Sequence, residues 1–219
     1  MISIITRCRN RLEYTAQVVD AVRRNTTIPY EHIIVDNAST DGTYEWFTWM
    51  SKNTSFYGDT IRYCRMDRNT GDWGGMLVGF ELAKGDYIVQ LDNDIIPCKG
   101  WLKDMVSVLV NTSYKGVMLK RKNVVGRWVL KPMSPVKNIG GLEVARVSKL
   151  VACFMIHRGY FDGVSKAIPE SKGMVSKPNM AKMLFPLAKI QNRYCHELQA
   201  LEGQRTKYNP KNPEVWEKV

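Results

Sequence analysis

The sequence predicts an α/β fold with a single, mostly parallel central sheet flanked by helices. One observation is the order of its segments. Short runs of β-branched and aliphatic residues alternate with longer segments whose apolar residues recur at helical spacing, as expected of parallel strands joined by crossover helices. The other is that three predicted strands end in clusters of polar side chains, where open α/β sheets gather their ligands.

The first half of the chain supplies these elements in order. Residues 2–6 form a β-branched, apolar run typical of a buried strand, and residues 12–25 carry apolar side chains at helical spacing. The same alternation then continues. Its predicted elements are a strand at 32–35, a helix that begins at Thr43, a strand at 60–65, a helix at 76–83, a strand at 87–91 and a helix at 101–110.

The second half gives a weaker pattern, because glycine, proline and lysine dilute it. It predicts strands at 116–119, 127–130 and 150–156, a helix at 179–200 and a polar tail at 206–219. A chain of 219 residues is long enough to close one substantial core and short for two. We therefore expect one domain at 1–205, with halves at 1–110 and 111–205, followed by the tail.

The charge of the chain favours anionic ligands. Lys and Arg total 32 against 21 for Asp and Glu, which gives a formal net charge of +11. Such an excess attracts nucleic acid, anionic membranes and phosphorylated small molecules alike. The basic residues are dispersed and the cysteines lack zinc-finger spacing, which argues against a dedicated nucleic-acid reader.

Cysteine usage indicates a reducing compartment. The five cysteines are far apart, odd in number and never in a C-x-x-C pair, which argues against a disulfide framework or a structural zinc. The first apolar run is too short for a signal peptide, and no later run is long enough to span a bilayer. We expect a cytoplasmic protein, with contact to a membrane surface left open.

The polar clusters after the strands are the candidates for chemistry. They are residues 7–10 after the first strand, Asp36 and Asn37 after the second, and Asp92, Asn93 and Asp94 after the fourth. We call residues 92–94 the D-x-D loop. Two carboxylates separated by one residue can share a divalent ion, and hard oxygen ligands suit Mg²⁺ or Mn²⁺. Alone, the same tripeptide is also a common solvated turn.

Further motifs place the D-x-D loop in a longer ordered pattern. The strand at 4–6 runs into a loop that ends in Asn10 and Arg11, and residues 33–43 read IIVDNASTDGT. A glycine-rich run that starts at Asn69 then leads through 79–85 into the D-x-D loop. In this order and spacing, the motifs of residues 1–161 resemble the family-2-type inverting glycosyltransferases of the GT-A fold.

The resemblance implies what each half of the domain binds. Residues 1–110 would bind a UDP-, GDP- or dTDP-linked sugar together with Mn²⁺ or Mg²⁺, and residues 111–205 a glycan, lipid-linked or protein acceptor. A bound cation would stabilise the charge that develops on the diphosphate leaving group. The implied site residues are Asp36 on the donor base, Arg7, Cys8 and Arg9 along the nucleotide pocket, Asp92 near the ribose or the metal, and Asp94 as direct metal ligand. The further donor-binding candidates are Asn69, Gly71, Trp73 and Asn93.

The chain departs from the family pattern at two places. Where members commonly carry Ala-Arg-Asn, this chain has Gly75-Met76-Leu77, so a basic contact to the nucleotide is absent and Trp73, Arg7 or an arginine near Arg65 would replace it. The Glu-Asp pair that usually supplies the general base is also absent. Glu170 is our candidate base, with Asp162 and Glu143 as weaker ones, since a base needs hydrogen-bond reach of the acceptor hydroxyl.

Several alternatives stay open at this point. Asp36 could cap the turn that follows it, and His157 or His196 could add a metal ligand. A nucleotidylyltransferase also uses a doubly wound domain and a divalent metal, but it would carry a glycine-rich phosphate loop after the first strand. A non-catalytic basic module that binds an anionic polymer or membrane would explain the charge and leave the acidic strand ends unexplained.

Overall fold

The structure is a computed structural model that describes residues 1–52, 61–122, 131–160, 170–171, 174–175, 186–198, 206–208 and 216–218. Its helices are α1 (Leu12–Asn25), α2 (Thr43–Lys52), α3 (Gly71–Leu82) and α4 (Trp101–Asn111). α3 begins five residues before the predicted helix, at Gly71, where the backbone φ of +79° suits glycine. None of the helices in the described segments is long and apolar enough to cross a membrane.

The strands fall into a large sheet and two short hairpins. In the first half they are β1 (Ile2–Cys8), β2 (Glu31–Asp36), β3 (Ile61–Arg65), β4 (Tyr87–Leu91) and β5 (Ile95–Pro97). In the second half they are β6 (Gly116–Lys122), β7 (Lys137–Ile139), β8 (Leu142–Val147), β9 (Cys153–His157), β10 (Glu170–Ser171), β11 (Met174–Val175), β12 (Leu187–Glu197), β13 (Thr206–Tyr208) and β14 (Trp216–Lys218). The predicted strand at 127–130 lies outside the described residues.

Ten of the described strands form the central sheet. Its order is β3-β2-β1-β4-β9-β6-β12-β8-β7, and β5 pairs with the end of β12. The first four strands are parallel, β9 runs antiparallel between β4 and β6, and β6 and β12 are parallel again. The prediction of one central sheet flanked by helices is confirmed, with the parallel strands concentrated in the first half of the chain.

The two faces of the sheet are covered by different helices. On one face, Ile5 and Val35 pack against Met76 and Phe80 of α3. A Cβ on Gly79 of α3 would lie only 2.3 Å from Cγ2 of Ile5, so this helix approaches β1 closely because it carries glycine there. The opposite face is covered by α1, α2 and α4, which pack in two further buried clusters.

The helix predicted at 179–200 is wrong, because residues 187–197 form the strand β12. β12 lies between β6 and β8, and its first four residues are buried, with Leu187 in one core cluster and Ala188 and Ile190 in another. A strand covered on both faces loses the alternation that identifies strands in a sequence. Leucine, alanine and lysine also favour helices in isolation, and pairing with two neighbouring strands overrides that preference here.

The predicted polar tail at 206–219 contains the antiparallel pair β13 and β14. Asp162 and the rest of 161–169 lie outside the described residues, as do 53–60 and 123–130. The division of the chain into a donor half and an acceptor half stays a prediction.

Candidate active site at the carboxyl edge of the sheet

The carboxyl ends of β1, β2 and β4 meet at one edge of the sheet. Cys8 at the end of β1 is paired in register with Asp36 at the end of β2, and Asp36 with Arg65 at the end of β3. The D-x-D loop follows β4, which is the other neighbour of β1. The sheet therefore brings together the three polar clusters that the sequence singled out.

Asp92 is held on the α3 face of this edge. Nη2 of Arg7 lies 3.4 Å from Oδ1 of Asp92, and Nε2 of Gln90 donates a hydrogen bond of 3.0 Å to the same oxygen. The Asp92 side chain is 31% exposed, so a ligand at this edge of the sheet can reach it. Arg7 and Asp92, both predicted to contact the donor, are thus direct neighbours.

Asp94 is held on the α1 side of the loop. Nη1 of Arg11 lies 3.4 Å from Oδ2 of Asp94, and the Asp94 carbonyl accepts the N–H of Leu198 at 2.8 Å. Nδ2 of Asn93 donates to Oγ1 of Thr15 at 3.0 Å. Asn93, a predicted donor contact, therefore braces the loop against α1, and each carboxylate of the loop faces an arginine.

Unusual backbone conformations gather at the same edge. The non-glycine residues with positive φ among the described segments are Asn10, Arg11, Ala38 and Ala152. Three of them directly follow β1 or β2, and the carbonyl of Ala152 accepts the N–H of Asp92 at 3.1 Å. Such residues cost about 1–3 kcal/mol each and cluster at functional sites. These conformations make this edge the candidate functional site.

The Asp36 carboxylate is buried at this edge and is hydrogen-bonded within the protein. It is 0% exposed, its Oδ1 accepts the N–H of Ser39 at 2.8 Å, and its Oδ2 accepts the hydroxyl of Tyr63 at 2.6 Å. Burial, together with this hydrogen bond, raises the pKa of Tyr63. The contacts are those of a turn cap, the alternative left open by the sequence, and contact with the donor's base stays a prediction.

Asn69 and Gly71 are hydrogen-bonded to Asn37, and their contact with the donor stays a prediction. Nδ2 of Asn37 donates to Oδ1 of Asn69 at 2.8 Å and to the carbonyl of Gly71 at 2.9 Å, and Oδ1 of Asn37 accepts the N–H of Thr70 at 2.9 Å. Asn37 therefore ties the end of β2 to the start of α3. The hydrogen-bond partners of the Asn37 amide lie 32 to 34 residues further along the chain. Sequence spacing alone does not reveal these contacts.

Two predicted donor contacts lie in the core. Trp73 is 1% exposed and packs in the cluster beneath α3, and Cys8 is buried under α1 and α2. Burial raises the pKa of the Cys8 thiol, and the charges of Asp36 and Asp41 raise it further. Successive side chains of β1 point to opposite faces, so Cys8 points away from its neighbours Arg7 and Arg9. Arg9 is exposed and remains a candidate.

The candidate bases have different placements. Glu170 belongs to β10, which pairs with β11, and β11 contacts α3. Asp162 lies outside the described residues. Glu143 is exposed on β8, which β9, β6 and β12 separate from β4. Of the two candidates in the described residues, Glu170 is the one linked to α3, through the pairing of β10 with β11.

The two histidines weighed as metal ligands have different placements. His157 pairs with Tyr87 at the start of β4, the end opposite to Asp92, so the sheet separates it from the loop. His196 pairs with Ile96 of β5, two residues after Asp94, because residues 187–197 form a strand rather than a helix. Among the described residues, no group of three or more His, Cys, Asp or Glu side chains is placed to hold a metal ion.

The fold and its acidic strand ends define a class of protein, the glycosyltransferases of the GT-A fold. The family model of glycosyl transferase family 2 matches residues 3–162, and the chain belongs to that family.

Two curated relatives are similar over part of their length. Glycosyltransferase AglE of Haloferax volcanii is 30% identical over 125 residues, which cover 56% of this chain and 39% of the relative. The undecaprenyl-phosphate 4-deoxy-4-formamido-L-arabinose transferase of Serratia proteamaculans is 27% identical over 119 residues, which cover 54% of this chain and 35% of the relative. This chain thus spans well under half of either relative.

Solved structures share the fold at low identity. TarS 1–349 of S. aureus, in complex with UDP-GlcNAc, superposes with a TM-score of 0.67 at 18% identity over 90% of this chain and 58% of that one. GalNAc-T7 with UDP, GalNAc and Mn²⁺ superposes with a TM-score of 0.72 at 13% identity over 90% and 43% of the two chains. The GT-A fold that the sequence motifs implied is confirmed.

Proposed function

We propose that the chain binds a nucleotide-diphosphate sugar at the carboxyl edge of the sheet and transfers the sugar, with inversion, to a hydroxyl of an acceptor. The observation that carries this is the pairing of the D-x-D loop with Arg7 and Arg11. Acidic and basic side chains lie side by side there, 3.4 Å apart in each pair. A diphosphate with a divalent cation needs both kinds of group, since the carboxylates hold the cation and the guanidinium groups pair with phosphate oxygens.

The carboxylates of the D-x-D loop are suitable ligands for Mn²⁺ or Mg²⁺. Asp92 and Asp94 would supply two hard oxygen ligands, and the described residues offer no third carboxylate, thiolate or imidazole in the same group. Ions of this kind are typically bound by one or two carboxylates and complete their shell with water and substrate phosphates. Bound there, the cation would supply charge stabilisation for the departing diphosphate. Arg7 and Asn93 would hold the two ends of the loop in place.

The relatives support the donor and acceptor classes. The names of the solved structures include UDP-GlcNAc in one, and UDP with Mn²⁺ in the other. The Serratia relative is named for transfer to undecaprenyl phosphate, which supports a lipid-linked acceptor and contact with a membrane surface. The net charge of +11 suits a phosphorylated acceptor as well as a nucleotide. GDP- and dTDP-sugars remain donors to test.

The proposed mechanism is a single displacement at the anomeric carbon. A carboxylate accepts the proton of the acceptor hydroxyl while that hydroxyl attacks, and the diphosphate leaves from the opposite face of the sugar. Glu170 is the proposed base, with Asp162 as the second candidate. The anomeric configuration of the product decides this point, because one displacement inverts the configuration and two retain it.

Binding of the nucleotide with the metal tests the proposal at its first step. We expect UDP, GDP or dTDP together with Mn²⁺ to raise the melting temperature, because a ligand that binds only the folded state stabilises it by about 2.7 kcal/mol at 100 times its Kd. For a chain of this size that corresponds to roughly 5–10 °C. Mn²⁺ alone, nucleotide alone and nucleotide with EDTA are the controls. No shift of the melting temperature with any nucleotide would contradict the proposal and favour the alternative of a basic anion-binding module.

A further inference from the structure

Gln90 is a polar side chain inside an otherwise apolar strand. It is the fourth residue of β4, in the sequence YIVQL, and only 4% of its surface is exposed. Its strand partners are Ile5 of β1 and Phe154 of β9. A buried amide costs free energy unless it is hydrogen-bonded, so a glutamine at this position calls for a reason other than packing.

The contacts of Gln90 lead to the D-x-D loop. Residues two apart on a strand share a face, so Gln90 lies directly beneath Asp92, and its Nε2 donates to Oδ1 of Asp92 at 3.0 Å. Nη2 of Arg7 approaches the same oxygen at 3.4 Å. Within the described part of the chain, Oε1 of Gln90 and Nη1 of Arg7 are buried without a hydrogen-bond partner. In the described residues, the side-chain hydrogen bond of Gln90 is therefore the one to Asp92.

We propose that Gln90 is a positioning residue, which fixes the rotamer of Asp92 for the metal and donor. This inference rests on the proposed function. Asp92 follows the last residue of β4 and is partly exposed, so its carboxylate can rotate unless something holds it. β1 and β9 flank Gln90 in the sheet, and its amide donates to Oδ1 of Asp92. Arg7 of β1 approaches the same oxygen.

If Gln90 positions Asp92, replacing it should lower activity and leave stability unchanged. If Gln90 is structural, replacing it should lower stability. Replacing Gln90 with methionine removes a buried amide whose Oε1 has no partner in the described residues and puts an apolar group of similar size into an apolar layer. Such a change is close to neutral or stabilising. The partly exposed Asp92 can regain the lost hydrogen bond from water. Activity should therefore fall while stability holds.

The test compares Gln90→Met with Gln17→Met, the same chemical change on the half-buried surface of α1. Turnover of UDP-, GDP- and dTDP-sugars is measured as a function of Mn²⁺ concentration, and the melting temperature is measured on the same samples. We expect Gln90→Met to lose about 10- to 100-fold in Mn²⁺ affinity or turnover, the usual cost of losing a group that orients a metal ligand. Its melting temperature should equal or exceed that of the wild type, and Gln17→Met should match the wild type in both.

A second variant keeps the proposal testable if Gln90→Met folds poorly. In Gln90→Glu the introduced carboxyl can donate to Asp92 only when protonated, so its activity relative to the wild type should rise as the pH falls. A purely structural role predicts instead that the activity of Gln90→Glu only follows its melting temperature as the pH changes.

Three results would overturn the inference: wild-type activity in Gln90→Met, a loss of activity that only follows a loss of stability, or an unchanged pH profile in Gln90→Glu. Absence of Mn²⁺-dependent turnover in the wild type is a separate result. It would overturn the proposed function, and the role of Gln90 with it.

Discussion

Replacing Asp94 with alanine should lower sugar transfer by roughly 100- to 1,000-fold, the scale of losing one group that stabilises developing charge in a transition state. Asp94 is one of two carboxylates in the D-x-D loop, and a single remaining ligand would hold Mn²⁺ or Mg²⁺ poorly. Within the protein, the Asp94 carboxylate pairs with Arg11, whose side chain is half exposed. Because water reaches the Arg11 side of this pair, the pair contributes little to folding, and the melting temperature should change little.

Asp86→Ala is the matched control for this variant. Asp86 is an exposed carboxylate just before β4, paired with the N-terminal ammonium group, so it lies at the end of the strand opposite to the D-x-D loop. Turnover at saturating donor with Mn²⁺, measured beside the melting temperature, should match the wild type in Asp86→Ala. Full Mn²⁺-dependent turnover in Asp94→Ala would show that Asp94 is not a metal ligand.

Acid should destabilise the fold through His32. This side chain is buried in β2 and its Nε2 lies 2.9 Å from Oγ1 of Thr6. Burial lowers the pKa of His32 from 6.5 to about 3, so the unfolded chain takes up a proton at a higher pH than the folded protein does. Above pH 6.5 the histidine is neutral in both states, and the free energy of unfolding is unaffected by it. As the pH falls from 6.5 toward about 3, the free energy of unfolding decreases by about 1.4 kcal/mol per pH unit at most.

Urea unfolding at a series of pH values measures this effect. In His32→Gln the amide can still bond Thr6, while the titrating group is gone, so the fall in unfolding free energy between these pH values should be shallower by the amount that His32 contributes. His157→Gln is the control, because His157 is exposed at the end of β9. Identical pH dependence in the wild type and His32→Gln would show that His32 does not stay neutral in the folded protein.

The strands β1, β2 and β4 were predictable because each has a short aliphatic run bounded by polar loop residues. The parallel pairing of β1, β2 and β4 follows from their order along the chain, and it carries the D-x-D loop to the same edge as Arg7. β12 was not predictable in the same way. Its residues favour a helix locally, and only the strands on both sides of it, β6 and β8, make it a strand.

The site residues show a similar limit. Sequence motifs identify which residues occupy the edge, but they do not say which layer each side chain enters. Trp73 and Cys8 turn inward to the core, and Asp36 closes its own turn. Arg11 and Gln90, which hold Asp94 and Asp92, were not predicted. A glutamine in an otherwise apolar strand was the signal that could have identified Gln90.

The most direct measurement of the proposed function is the release of UDP, GDP or dTDP from the corresponding nucleotide sugars with Mn²⁺, and again after addition of EDTA. Slow transfer to water makes this possible before the acceptor is identified. We predict that at least one donor is cleaved with Mn²⁺, that EDTA stops the reaction, and that excess Mn²⁺ or Mg²⁺ restores it. Cleavage that continues at the same rate in EDTA, or no cleavage of any donor, would contradict metal-dependent sugar transfer at the D-x-D loop.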